Sequence, residues 1–126
     1  MNMKKNKIIY WVTTIIISLM MLFSAYSYLT NEEIKAAFVH LGFPSYFRIE
    51  LAIAKIAGAL ALILPFISAP FKGFAYAGFA ITFISAIVAH LASADPASVV
   101  MMPAVFLAIL SISYIYFQKT KKLQVA

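Results

Sequence analysis

Four long, almost uncharged runs fill this chain, and the second carries Arg48, Glu50 and Lys55 where hydrocarbon would surround it. Each run has about the 20 residues that an α-helix needs to cross ~30 Å of lipid. Of the 126 residues, 64% are hydrophobic and 11% charged, too little polar surface to solvate a soluble fold of this size. The expected fold is all-α: an integral membrane bundle of four transmembrane helices forming one domain over residues 1–126. Its partner is the lipid bilayer.

The first run extends from Ile8 to about Leu29, with Tyr10 and Trp11 near its start, where aromatic rings favour the interface. Lys4, Lys5 and Lys7 before it, with Ala25-Tyr26-Ser27 near its end, also fit a cleaved signal peptide. The apolar core is longer than the ~7–15 residues such a peptide uses, which favours a retained span. Thr30-Asn31-Glu32-Glu33 then reads as a helix start, with Thr30 and Glu33 at capping-box spacing. The segment to His40 places Ile34, Ala37, Phe38 and Leu41 three or four residues apart, as in a short interfacial amphipathic helix. Gly42-Phe43-Pro44 breaks it, and Ser45 is placed to cap the next helix.

The second run extends from about Tyr46 to Leu64 and stops at Pro65. The third extends from about Gly73 to Leu91, with Gly78, Thr82, Ser85, Ala86 and Ala89 forming a small, polar stripe expected to pack against a neighbour. Asp95-Pro96 has the form of an N-cap followed by proline at the first helical position. The fourth run reaches about Phe117 and contains Pro103, which is expected to bend it.

The net charge of +6 is not a nucleic-acid surface, because the lysines are distributed in three separate places. Lys4, Lys5 and Lys7 precede the first run, Lys72 lies between the second and third, and Lys119, Lys121 and Lys122 follow the fourth. Glu32, Glu33 and Asp95 fall in the alternate connections. Under the positive-inside rule both termini are cytoplasmic.

That topology puts Arg48, Glu50, Lys55, His90 and Asp95 in the outer half of the bundle. Arg48 and Lys55 share a helix face roughly 10 Å apart, while Glu50 points about 140° away from Lys55. Ionisable groups inside a bilayer are costly and mark functional positions. Each also has a plainer reading: Arg48 as a snorkelling anchor, Glu50 as an interhelical ion pair, His90 as a cap on its helix, Asp95 as an N-cap. Glu50, Lys55 and His90 are the primary ligand-binding or proton-relay candidates, with Arg48 and Asp95 secondary. Glu50 or Asp95 is expected to approach His90 or Lys55 across the bundle. His40 reads as an ordinary loop histidine.

No metal site is expected, since neither histidine has a ligand-spaced partner. The absence of cysteine excludes a thiol–disulfide relay and a cysteine-held iron–sulfur cluster. There is no phosphate-binding glycine loop and no nucleophile elbow.

Several motifs together resemble the DoxX-like family of small four-helix membrane proteins. They are Phe38-x-x-Leu41-Gly42-Phe43-Pro44, Phe47-Arg48-x-Glu50, Lys55-x-x-Gly58-Ala59-Leu60-Ala61-Leu62, Ala75-Tyr76-Ala77-Gly78-Phe79 and His90-Leu91-Ala92-Ser93-Ala94-Asp95-Pro96. In the last of these, Ala94 stands where the family usually has glycine. The resemblance implies a four-helix bundle in the bacterial inner membrane. It also implies a link to quinone-coupled and oxidative-stress membrane complexes, and by position it points to Glu50, Lys55 and His90. Two functional readings stand. One is a redox-associated subunit that binds quinone, or a similar lipophilic ligand, in a polar pocket of the outer half. The other is a non-catalytic transport, assembly or chaperone-like component whose charges pair across helices and whose small faces bind a membrane protein partner or a second copy.

Overall fold

The computed structural model describes the backbone of residues 3–125 and the side chains of residues 4–120. The described residues form five helices: α1 (Met3–Thr30), α2 (Glu32–His40), α3 (Ser45–Ile63), α4 (Ala69–Ala92) and α5 (Ala97–Val125). α1, α4 and α5 are long and apolar enough to cross a membrane. α3 has 19 residues, about 28 Å at 1.5 Å each, but carries Arg48, Glu50 and Lys55.

Local chemistry sets most boundaries. α1 contains neither glycine nor proline, and it begins among its lysines rather than after them. It continues through Thr30, whose hydroxyl donates back to the Tyr26 carbonyl at 2.9 Å and is therefore not the expected cap. Asn31 takes that role instead. It is extended (φ −89, ψ 120), and its side-chain oxygen accepts from the N–H groups of Glu33 and Ile34. Nor does Ser45 cap α3: the N-cap is Pro44, with no side-chain hydrogen bond.

α2 and α4 end in the same way, in a Schellman turn. At α2, Gly42 has φ +85, Phe43 N–H reaches the Phe38 carbonyl, and Gly42 N–H reaches that of Val39. At α4, Ala94 has φ +58, Asp95 N–H reaches the His90 carbonyl, and Ala94 N–H reaches that of Leu91. α3 stops because Leu64 turns extended ahead of Pro65. Pro70 lies in the first turn of α4, and α5 continues through Pro103.

The four long helices run antiparallel and form a ring. α1 packs on α3 and α5, and α4 packs on the same two. α2 lies against α3 and the end of α1. The shared core comprises Tyr10, Ile17, Met21, Ala59, Leu62, Tyr76, Phe79, Phe83, Leu110 and Phe117. Phe23, Ile53, Phe74, Ile81, Val88, Val105 and Ile115 point outward and are exposed. Helices apolar on both faces belong in lipid, so this is an integral membrane protein.

The inward face of α4 is Lys72, Tyr76, Phe79 and Phe83, not the small stripe. Gly78 and Ser85 are exposed, and a Cβ on Gly78 would meet no atom within 4 Å. Aromatic rings of α4 fill the centre that the four helices enclose. On α3 the relation is reversed: a Cβ on Gly58 would lie 2.8 Å from the Phe79 ring, so the missing side chain admits that ring.

Candidate functional site

One end of the ring gathers the α1–α2–α3 connection and the α4–α5 turn, and two polar assemblies form there. The first surrounds Lys55. The Arg48/Lys55 face of α3 turns toward α1, so Lys55 is 5% exposed. Its Nζ donates to Ser24 Oγ at 2.9 Å and to Tyr28 Oη at 2.8 Å. The ammonium also lies 4.0 Å from the Tyr28 ring centroid. No carboxylate pairs with it among the described residues. Two turns nearer the surface, Arg48 Nη1 donates to the Tyr28 carbonyl in the last turn of α1. A cation there offsets the negative end of the helix dipole and occupies one of its last carbonyls.

The second assembly is a carboxylate held by two imidazoles. Asp95 Oδ2 lies 2.7 Å from His90 Nδ1, and Asp95 Oδ1 lies 2.9 Å from His40 Nε2. The α4 turn produces the first contact. In a Schellman motif the residue after the left-handed position packs on the helix residue five earlier. In α2 that pair is Phe43 and Phe38, with ring centroids 5.9 Å apart. In α4 it is Asp95 and His90. An ionised carboxylate only accepts, so both rings carry their proton on the bonded nitrogen. The hydrogen bonds from His90 first, and then His40, hold the Asp95 carboxyl below its ordinary value of 3.8.

At the opposite end, Lys72 is also 5% exposed. Its Nζ donates to the carbonyls of Ala61, Leu62 and Leu64 at 2.8, 2.8 and 2.9 Å. The Ala61 carbonyl would ordinarily accept from the residue-65 N–H, and Pro65 has none. Lys72 supplies the missing donor. Between the ends, Ser113 Oγ joins Thr14 Oγ1 at 2.7 Å and Tyr76 Oη at 2.6 Å across α1, α4 and α5.

The residues singled out from sequence therefore separate. Lys55 is buried and faces α1. His90 and Asp95 meet, but within one turn rather than across the bundle, and Asp95 is committed to imidazoles instead of capping α5. Glu50 meets neither Lys55 nor His90: it is exposed and makes no ion pair among the described residues. Because it points away from the Lys55 face, turning Lys55 toward α1 turns Glu50 outward. Ser24, Tyr28, His40 and Lys72 were missed as side-chain partners. Ser24 and Tyr28 had a signal, being hydroxyls four residues apart on one face of the first run. His40 had none.

Two grooves open between helices. The α3–α4 groove has a volume of about 370 Å³ and is lined by Lys55, Gly58, Phe71, Phe74, Gly78 and Phe79, among others. The α4–α5 groove, near the lysine-rich end, has about 500 Å³. No group of His, Asp or Glu among the described residues is arranged to hold a metal ion.

The sequence profile of the DoxX-like family matches residues 12–113, from the third turn of α1 to the middle of α5. No curated protein and no solved structure matches the chain.

Proposed function

The chain belongs to the DoxX-like family, and we propose that it is a redox-associated membrane subunit holding a quinone-class ligand in the α3–α4 groove. The observation that carries this reading is the state of Lys55. A buried ammonium is retained at a cost, and here its acceptors are two hydroxyls rather than a carboxylate. An ammonium has three N–H donors, so one is left for a ligand oxygen. Lys55 also lines the groove, with Phe71, Phe74 and Phe79 as apolar walls for a flat ligand and Gly78 keeping it open. His90, Asp95 and Glu50 are not among the lining residues. We assign ligand contact to Lys55 and keep His90 with Asp95 as a proton-exchanging pair at the surface. The chain has no cysteine, so the electrons would pass to a partner protein.

In this reading α3 is a fourth span and the chain is one domain. Its burial against α1 and α4 turns Lys55 and Arg48 away from lipid. Both termini are cytoplasmic in the bacterial inner membrane, which puts Lys55 in the outer half. The chain lacks cysteine, so Asn6→Cys and Ser93→Cys report sidedness without background. Ser93→Cys should react with an impermeant maleimide in intact cells and Asn6→Cys should not; the reverse pattern would overturn the topology.

The ligand reading is tested by organic extraction of the purified protein and by titration with a short-chain ubiquinone. Wild type should bind, whereas Lys55→Met and Gly78→Leu should both lose binding while remaining folded. A Leu at Gly78 fills open groove, because a Cβ there meets nothing. Equal binding by all three proteins would sink the proposal. A stoichiometric membrane protein co-purifying without quinone would instead favour the assembly role.

A further inference from the structure

The α4–α5 groove has features that the quinone reading does not use. It begins at Ala69 and Gln118 and ends near Ala80 and Leu107. Eleven helical residues rise about 16 Å, close to half of a ~30 Å hydrocarbon layer. The groove is thus one leaflet deep. On its α4 wall Gly73, Ala77 and Ala80 stand three or four residues apart beside Ala69, Pro70 and Tyr76, and these small residues leave a trough rather than a packed seam. A Cβ on Gly73 would meet no atom within 4 Å. Exposed Ile81 and Ile115 lie beside it, so it opens sideways into lipid rather than to water.

The polar groups of the trough are concentrated at its outer end. Gln118 Nε2 donates to Tyr114 Oη at 2.7 Å, leaving the Gln118 carbonyl, its second N–H and the tyrosine proton. Lys119 follows, its Nζ 4.6 Å from the Tyr116 ring centroid. α1 packs on α5 at this same end, with the Tyr10 and Phe117 rings 6.0 Å apart, and brings exposed Lys4, Lys5 and Lys7 near. All four acidic residues, Glu32, Glu33, Glu50 and Asp95, belong to the opposite end. Lys72 does not contribute, since backbone carbonyls occupy its ammonium.

We infer that the α4–α5 groove is a binding site for an anionic phospholipid. One acyl chain occupies the trough from Gln118 to Ala80, and the phosphate sits among Gln118, Lys119 and the α1 lysines. Charge complementarity identifies the occupant: an unneutralised basic cluster at the mouth of a leaflet-deep apolar trough matches a negatively charged headgroup on an acyl chain. Neither lysines without a trough nor a trough without lysines would select it. The inference rests on the membrane fold and does not depend on what occupies the α3–α4 groove.

The test uses the full chain in mixed micelles with equal amounts of phosphatidylglycerol and phosphatidylethanolamine of one acyl composition, read by native mass spectrometry. Wild type should retain one phosphatidylglycerol with about tenfold preference, or about 1.4 kcal/mol. Gly73→Leu should lose the retained lipid with every lysine in place. It should also fold, since leucine is the better helix former. Ala77→Leu, at an exposed position, is the second filling variant. Replacing Lys4, Lys5, Lys7 and Lys119 by Gln should keep a lipid but abolish the preference. Equal retention of the two lipids by wild type, or a preference that survives both groove-filling changes, would overturn the inference.

Discussion

Lys55 and Lys72 are equally buried, on adjacent helices of one small bundle, yet their ammonium groups are held by different chemistry. Lys72 meets three backbone carbonyls, at least one of which has lost its usual donor to Pro65. Its charge is consumed by the end of α3, and nothing is left to offer a ligand. Lys55 meets two hydroxyls, which have other options and can pair with each other if it leaves. A buried charge is thus a structural part where its partners are acceptors with no alternative, and a candidate site where its partners are replaceable. Arg48 belongs with Lys72, because it too covers a helix end.

That contrast predicts opposite outcomes for the same substitution. Lys72→Met should strand buried carbonyls and destabilise the bundle by on the order of 2–4 kcal/mol, measured by detergent-denaturant unfolding. Lys55→Met should cost less than about 1 kcal/mol, because an apolar side chain of similar length removes a desolvated charge. Equal losses would break the distinction, and a larger loss for Lys55 would reverse it.

The two Schellman turns sharpen the comparison at smaller scale. Gly42→Ala should destabilise by about 1–2 kcal/mol, since φ +85 suits only glycine well. Ala94→Gly should stabilise by about 0.5–1 kcal/mol, because relief of the left-handed strain exceeds the added chain entropy. Thermal midpoints in one detergent check both signs.

The smallest effect expected is that of Asp95. Its folded-state carboxyl titrates below the ordinary value of 3.8, so its contribution is present above that value and lost as the pH falls through the lowered one. The stability gap between wild type and Asp95→Asn should therefore shrink on acidification below pH 3.8. A gap that widens there would mean that the histidines do not hold the carboxylate.

The candidate site was legible in part. Lys55 stood out because a charge in an apolar run is expensive wherever the helix turns, and the Arg48 and Lys55 spacing put both on one face. Glu50 stood out for the same reason, yet its direction depended on which face met α1. Asp95 before Pro96 carried a sound capping signal, but the αL residue at Ala94 took it to His90 instead. The small stripe on α4 was visible as a pattern; that the aromatic face of α4, and not this stripe, turns to the centre of the ring was not, because both faces are apolar enough for either choice.

The sequence by itself determined the membrane class, the helix count, a break near Thr30 and those at Gly42, Pro65 and Pro96, and the collection of lysines at one end. These follow from run length, backbone chemistry and desolvation, which act locally along the chain. Only the tertiary structure decided which partner each buried polar group found: Lys55 with Ser24 and Tyr28, Lys72 with the end of α3, His40 with Asp95. In a bilayer every helix is apolar on all sides, so hydrophobic patterning does not select the inward face. Shape, and the need of each buried polar atom for a partner, make that choice, and both depend on the neighbouring helices.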